Sequence, residues 1–179
     1  MIVSNFPQAL ELNSILYDRV CKNIHWEKTQ DKDSIFGRKT GWDLHKQNIK
    51  EVNTLLAWIK GILPEISIKF ADPQGSEKYY NFNRNAFEIR DCWGTHYNKG
   101  ESLVKHNHFP YTLSFVYYVK TPKGFSPLLI EEESIDVKEG QCIFFLAHQF
   151  HSVPANNCDG RCIIAGNIFY RFSKRKEDT

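Results

Sequence analysis

Three histidines in the second half of the chain have the spacing of a metal-binding site. His106 and His108 are two residues apart in a segment rich in strand-forming residues. Side chains that are two positions apart on a strand point to the same side. A third histidine far along the chain, His151, could complete one face of a metal's coordination sphere, and imidazole is a good ligand for iron and related metals. The pattern predicts a metal centre at these three residues.

An arginine follows the third histidine at a distance that suits ligand binding. Arg161 lies ten residues beyond His151, about one strand and one turn away. Its planar guanidinium group can bind a carboxylate through two parallel hydrogen bonds. The alternative is an ordinary arginine at a strand edge. The functional interpretation predicts a carboxylate ligand bound beside the metal.

The order of these residues resembles the iron(II)/2-oxoglutarate-dependent dioxygenases over residues 93–171. It is most similar to the prolyl-hydroxylase-like group, and within it to a branch that carries His-x-His where most members carry His-x-Asp. The features that carry the resemblance are, in chain order, Tyr97 with Gly100, His106 with His108, Gly140 with Phe145, His151, and Arg161.

The resemblance implies a hydroxylase that uses Fe(II) as its metal and 2-oxoglutarate as its cosubstrate, with ascorbate as a possible reductant. The three histidines would hold the iron, and Arg161 would bind the far carboxylate of 2-oxoglutarate. Hydroxyl and amide side chains on nearby strands are further candidates for binding the cosubstrate, namely Ser114, Tyr117 and Asn167. Ser114 and Tyr117 are three residues apart, so at most one of them points inward on a regular strand. Tyr97 and Trp93 are candidates for contacting the substrate or supporting the metal ligands.

His108 stands where the family usually has a carboxylate. Neutral imidazole leaves the metal centre one charge unit more positive. Three-histidine iron sites also occur in oxygenases that use no 2-oxoglutarate. Two alternatives therefore stay open, a three-histidine dioxygenase of that kind and a cupin-like metal-binding or sensing protein. A nearby acidic side chain could also replace His108 as a ligand, although a solvated loop is the preferred interpretation of the acidic run Glu131, Glu132, Glu133 and Asp136.

Two other histidines are not expected to bind the metal. His96 lies outside the motif, and His148 precedes His151 by an odd number of positions. Only His151 is followed by Ser-Val-Pro, as the distal histidine of the family commonly is. Both are therefore excluded from the predicted site.

The surrounding pattern predicts a mainly β (α+β) domain. A short strand is expected at Met1–Asn5, and the other candidate strands are 66–70, 87–93, 103–108, 112–119, 128–130, 141–146 and 161–169. Several short strands at this spacing favour a sandwich or jelly roll. The resemblance implies a double-stranded β-helix (jelly roll, cupin-like) supported by N-terminal helices. Helices are predicted from Pro7 to about Cys21, with Asn5 as a cap, and from Leu44 to Ile62, with Gly61 and Pro64 as the stop signal.

The length of 179 residues predicts one domain. Its expected parts are a helical support region at 1–65, a jelly-roll core at 66–171 and a tail at 172–179. The polar loops at 27–42 and 72–85 are candidates for a lid over the site.

Composition predicts a soluble cytoplasmic protein. The net charge is only +2, which gives no indication of a nucleic-acid partner. Five cysteines without paired spacing, and no leader at the N-terminus, indicate a reducing cytoplasm. No apolar run approaches the roughly 20 residues of a membrane helix. The substrate is left open between a peptidyl proline and a small molecule, and the oligomeric state is not predicted.

Overall fold

The computed structural model describes residues 1–24, 35–75 and 82–171. The helices are α1 (Ala9–Lys22) and α2 (Lys50–Ala71), with 3-10 turns at Leu44–Lys46 and Arg84–Ala86. The strands are β1 (Ile2–Asn5), β2 (Ile35–Phe36), β3 (Arg38–Lys39), β4 (Phe87–Tyr97), β5 (Ser102–His106), β6 (Leu113–Lys120), β7 (Leu128–Ile130), β8 (Glu133–Ile135), β9 (Gln141–Leu146), β10 (His151–Val153) and β11 (Arg161–Tyr170).

The strands form two antiparallel sheets. The major sheet has the order β1-β9-β6-β11-β4-β3, and the minor sheet has the order β2-β5-β10-β7-β8. A cluster of buried apolar side chains joins the sheets, with Trp93 and Val116 from the major sheet and Leu103 and Val153 from the minor sheet. We call the side of each strand that faces this cluster the inner face. The predicted jelly roll is confirmed, because the two sheets close around one interior.

Both helices lie against the outer face of the major sheet. Leu16 and Val20 of α1 and Ile59 of α2 are fully buried in a second apolar cluster, which also contains Tyr117. The approach of α1 is close, since a Cβ atom added to Gly94 of β4 would lie 2.7 Å from the Val20 side chain. Glycine is therefore needed at this position. The prediction that N-terminal helices support the β-helix is confirmed.

Helix α2 corrects two predictions. It continues through Pro64 to Ala71, so the stop predicted near Gly61 is wrong and the strand predicted at 66–70 is helical. Leu63 and Ile66 are buried at helical spacing, and the burial of this apolar face outweighs the hydrogen bond that proline removes. The helix ends before Asp72 and Pro73, where proline commonly follows a C-terminus.

The N-terminal segment corrects a third prediction. Asn5 does not cap α1, because it belongs to β1 and its side-chain oxygen accepts a hydrogen bond from Gln141 at 3.1 Å. The boundary predicted between a helical region and a jelly-roll core at residue 65 is also displaced, since helix runs to Ala71 and β1 joins the major sheet. The predicted tail at 172–179 and the loop parts at 27–34 and 76–81 lie outside the described residues. No helix in the described ranges has the length and apolarity needed to span a membrane.

Candidate metal centre and cosubstrate cavity

The three predicted histidines come together at one end of the minor sheet. Strands β5 and β10 pair so that His106 lies opposite His151. His108 follows β5, and its backbone N–H donates to the carbonyl oxygen of Ala147 at 2.7 Å. The centroids of the three rings are 4.3 to 4.9 Å apart, and one nitrogen of each ring lies within 4.8 Å of the others. This spacing suits three ligands of one ion.

Backbone carbonyl groups orient two of the rings. The Nδ1 atom of His106 lies 2.8 Å from the carbonyl oxygen of Val104, and that of His151 lies 3.3 Å from the carbonyl oxygen of Gln149. A proton on Nδ1 can donate to each oxygen, which leaves Nε2 with a free lone pair. Metal-binding histidines are commonly oriented in this way.

The imidazoles are held in the neutral form that binds metals. Burial, together with the neighbouring His106, lowers the pKa of His151 to about 4. Burial, together with the other two rings, lowers the pKa of His108 to about 3. Burial also lowers the pKa of His106. Near neutral pH, little proton release is therefore needed before a cation binds.

Arg161 is buried beside this centre with unmet hydrogen-bonding capacity. It is the first residue of β11, and only 1% of its surface is exposed. The guanidinium carbon lies 4.9, 5.6 and 5.8 Å from the ring centroids of Tyr97, Tyr118 and Phe125. Its Nε and Nη1 atoms have no hydrogen-bond partner among the described residues. Because an unpaired buried cation is costly, these donors indicate a binding site for an anion.

A cavity of about 160 Å³ connects the histidines with Arg161. Its polar lining includes the three imidazoles, Arg161, Ser114 and Tyr97, and the rest of its wall is largely aromatic and aliphatic. No carboxylate belongs to the described lining. The cavity therefore combines nitrogen ligands for a cation with a bound positive charge for an anion.

Two tryptophans form one wall of the cavity. Trp93 is 5% exposed, and its ring centroid lies 5.8 Å from that of His108. Trp42 packs edge-on against Trp93 at 4.5 Å and is 40% exposed. The carbonyl oxygen of Trp42 accepts a hydrogen bond from the Cys92 N–H at 2.9 Å, which fixes this segment to β4. Trp42 has no sequence signal beyond its place in a candidate lid loop.

The structure separates the other predicted cosubstrate residues. Ser114 lines the cavity and its hydroxyl donates to the Asn167 side-chain oxygen at 2.9 Å. Asn167 is not in the lining and donates to Asp91 at 3.4 Å. Tyr117 lies on the outer face, where its hydroxyl donates to Asn13 of α1. The prediction that Tyr117 binds the cosubstrate is therefore withdrawn, since alternation along β6 turns it away from the cavity.

Two inner-face hydroxyl groups were not predicted. Tyr118 and Thr95 are fully buried, and neither hydroxyl oxygen has a hydrogen-bond partner in the described part of the chain. Tyr118 lies beside the Arg161 guanidinium. Burial raises the pKa of Tyr118, and both the charge of Arg161 and the direct approach of its guanidinium group to the Tyr118 hydroxyl oppose that rise. The parity shared by Tyr118 and Ser114 on β6 is the sequence signal that could have identified it.

The remaining candidates lie elsewhere. Glu131 accepts a hydrogen bond from the Phe150 N–H at 2.7 Å, and Glu132 pairs with Lys105. No acidic residue joins the histidine cluster in the part of the chain that the structure describes. His96 lies 3.0 Å from the hydroxyl of Tyr17 in α1, and His148 is exposed in a turn.

Comparison with known proteins identifies the fold. No family model and no curated protein matches the sequence. Among solved structures, a viral collagen prolyl hydroxylase from Paramecium bursaria Chlorella virus 1, in complex with 2-oxoglutarate, matches with a TM-score of 0.65 and 14% identity, over 94% of this chain and 96% of the other. A prolyl-4-hydroxylase from Pseudomonas putida matches with a TM-score of 0.65 and 15% identity, over 95% of this chain and 92% of the other. The chain therefore has the jelly-roll fold of these prolyl hydroxylases over nearly its whole length.

Proposed function

We propose that the protein is an Fe(II)/2-oxoglutarate-dependent oxygenase that hydroxylates its substrate. The observation that carries this proposal is the buried Arg161 guanidinium, whose Nε and Nη1 donors lack partners among the described residues in the same cavity as three imidazoles. A dicarboxylic acid with one end at the metal and the other at Arg161 would satisfy both groups. The prolyl hydroxylases with the same fold support this assignment.

Each residue has a defined part in the proposed reaction. His106, His108 and His151 would hold the iron through neutral nitrogen atoms and leave the other side of the ion for ligands. When bound, the iron supplies oxygen activation, coupling oxidative decarboxylation of 2-oxoglutarate to substrate hydroxylation. Arg161 would fix the distal carboxylate of the cosubstrate through paired charge-assisted hydrogen bonds. The apolar wall formed by Trp93 and its neighbours would exclude water.

A peptidyl proline is the first substrate to test. Both structural neighbours described above are prolyl hydroxylases. The exposed part of Trp42 lies at the cavity wall, where an aromatic ring could pack against an apolar ring of the substrate.

The test is the formation of succinate from 2-oxoglutarate with Fe(II) and ascorbate, with and without a proline-rich peptide. Slow turnover without peptide and faster turnover with it are expected. His151→Ala should abolish both, whereas His96→Gln, on the outer face, should leave both unchanged. Absence of succinate under every condition, with the metal bound, would contradict the proposal.

A second candidate rests on His108. Because the described lining contains no carboxylate, the site also suits a three-histidine dioxygenase that uses no 2-oxoglutarate. That enzyme would consume oxygen without forming succinate. A metal-binding or sensing protein would bind the metal and consume no oxygen, so the same assay with an oxygen electrode separates the three functions.

A further inference from the structure

The cavity concentrates positive charge without an acidic partner. A divalent metal at the histidines and the guanidinium of Arg161 would together bring three positive charges into one buried space. The three metal ligands are neutral, and the described lining residues include no carboxylate. In a site with two histidines and one carboxylate, the protein itself would offset one of these charges.

Asp91 and Glu101 do not compensate for this positive charge. Asp91 accepts a hydrogen bond from Asn167, and Glu101 accepts one from the backbone N–H of Asn98 at 2.6 Å. Neither belongs to the cavity lining. The metal and Arg161 would therefore depend on a bound ligand for neutralisation.

We infer that this site binds its metal and a dianionic 2-oxo acid as a mutually dependent pair, because His108 replaces the anionic ligand that would otherwise offset one charge. Buried charges are stable only when they are paired. A dianion that contacts the metal at one end and Arg161 at the other neutralises two of the three charges. Each ligand then raises the affinity of the other by the same factor, since coupling between binding sites is reciprocal. The inference rests on the proposed function, which supplies the identity of the dianion.

The experiment measures that coupling factor by calorimetry with Mn(II), which occupies such sites without turnover. The dissociation constant of Mn(II) is determined for the purified full chain without and with saturating 2-oxoglutarate. In the wild type, 2-oxoglutarate is expected to tighten Mn(II) binding by about 100-fold, near the upper end of known couplings. A titration without protein corrects for chelation of Mn(II) by free 2-oxoglutarate.

Two variants at position 108, which differ from each other only in charge, test whether charge sets the coupling factor. His108→Asp restores a carboxylate, and His108→Asn introduces a neutral side chain of the same shape. The coupling factor should fall by about tenfold or more in His108→Asp and stay near the wild-type value in His108→Asn. Circular dichroism and thermal melting check that both variants fold. Equal coupling factors in the wild type and His108→Asp would overturn the inference.

A measurement on the wild type alone keeps the inference testable if the variants fail to fold. The probe 2-oxobutyrate keeps the 2-oxo acid end and lacks the distal carboxylate. It should tighten Mn(II) binding by a factor about tenfold smaller than 2-oxoglutarate does, because one positive charge stays unpaired. Equal enhancement by both acids would overturn the inference.

The outcomes also distinguish the inference from the proposed function. If Mn(II) binds and 2-oxoglutarate does not bind with or without it, the proposed function fails and the inference fails with it. If Mn(II) and 2-oxoglutarate both bind, but the coupling factor of the wild type is no larger than that of His108→Asp, only the inference fails.

Discussion

Two neighbouring tyrosines of β6 point to opposite faces of the strand and differ in their hydrogen bonding. On the outer face, the hydroxyl of Tyr117 donates to Asn13 and the ring packs among the helices. On the inner face, the hydroxyl of Tyr118 is fully buried and has no partner among the described residues. A buried polar group without a partner lowers stability. The inner face of β6 therefore retains a hydroxyl group that a ligand can bind, while the hydroxyl group on its outer face is already paired within the protein.

The contrast is weaker on β4 and is clearest at Arg161 of β11. His96, on the outer face, reaches the Tyr17 hydroxyl through Nε2, although its Nδ1 atom has no partner in the described ranges. Thr95 and Arg161, on the inner face, leave one and two unpaired polar atoms within those ranges. Residues that alternate along one strand thus divide between contact with the helices and the interior where the candidate site lies.

The largest expected effect comes from removing an inner-face imidazole. His151→Ala should abolish succinate formation and weaken Mn(II) binding by more than about 100-fold, because loss of a ligand exceeds the cost of losing a group that only orients one. His96→Ala, on the outer face, should change neither quantity. Calorimetry and the succinate assay measure both. Similar Mn(II) binding in the two variants would remove the basis for distinguishing the faces.

The next effect is on the pH dependence of the metal-free protein. Burial holds the pKa of His151 at about 4 and that of His108 at about 3, whereas histidine in an unfolded chain titrates near about 6.5. Between these values the unfolded chain binds more protons, so the free energy of unfolding decreases as pH falls. Each of the two histidines is expected to contribute a loss of about 3 kcal/mol between pH 6.5 and pH 4.

Urea unfolding in the presence of a chelator measures this dependence at several pH values. His108→Asn removes one of the titrating groups and should reduce the slope. A variant with the same slope as the wild type would show that His108 titrates alike in the folded and unfolded states.

A smaller effect is expected at Arg161. Arg161→Gln should weaken 2-oxoglutarate binding by about 2 kcal/mol, roughly a 30-fold rise in Kd, because charge-assisted hydrogen bonds are lost. The same change should leave the ligand-free protein equally stable or more stable, since an unpaired buried charge is removed. Arg90→Gln is the matched control, because Arg90 is exposed and pairs with Glu88. A destabilised Arg161→Gln variant with normal 2-oxoglutarate binding would assign Arg161 to the structural core.

The sequence predicted the elements that depend on local pattern. The histidine spacing and the strands around it follow from alternation and turn residues, and the structure brings His106, His108 and His151 together. The run from Ile66 to Phe70 shows the limit of this reasoning. Its alternation suits a strand, but Ile66 and Ser67 are both buried while Ile68 is 36% exposed. Burial of two adjacent residues fits the helix that the structure shows and not an alternating strand.

The sequence also does not show which face of a strand points to the interior. Alternation shows that Ser114 and Tyr117 face opposite ways, but it does not show which of them faces the interior. That choice depends on α1, which covers one face of β6 and supplies Asn13 as the partner of Tyr117. Strand β10, with three residues, is too short for a periodic signal, although it carries His151. Tertiary packing therefore determines which face of each strand lines the candidate site.

The smallest effects are expected from removing one oxygen atom on each face of β6. Tyr117→Phe leaves the buried Asn13 side-chain oxygen without its donor and should lower the free energy of unfolding by about 1 kcal/mol. Because this hydroxyl faces α1, the KM for 2-oxoglutarate should not change. Tyr118→Phe removes a hydroxyl without a partner among the described residues, so stability should change by less than about 0.5 kcal/mol. The KM for 2-oxoglutarate should rise about fivefold if this hydroxyl binds the carboxylate held by Arg161.

Urea unfolding and steady-state kinetics on both variants test this crossed pattern. The two substitutions are chemically identical and adjacent in the chain, so a general effect of losing a hydroxyl group would appear in both. Only the direction in which each ring points can make one substitution lower stability and the other weaken cosubstrate binding. If Tyr118→Phe lowered stability as much as Tyr117→Phe and left the KM unchanged, the inner hydroxyl would be satisfied within the protein. The distinction between a complete outer face and a ligand-binding inner face would then be restricted to Arg161 and the histidines.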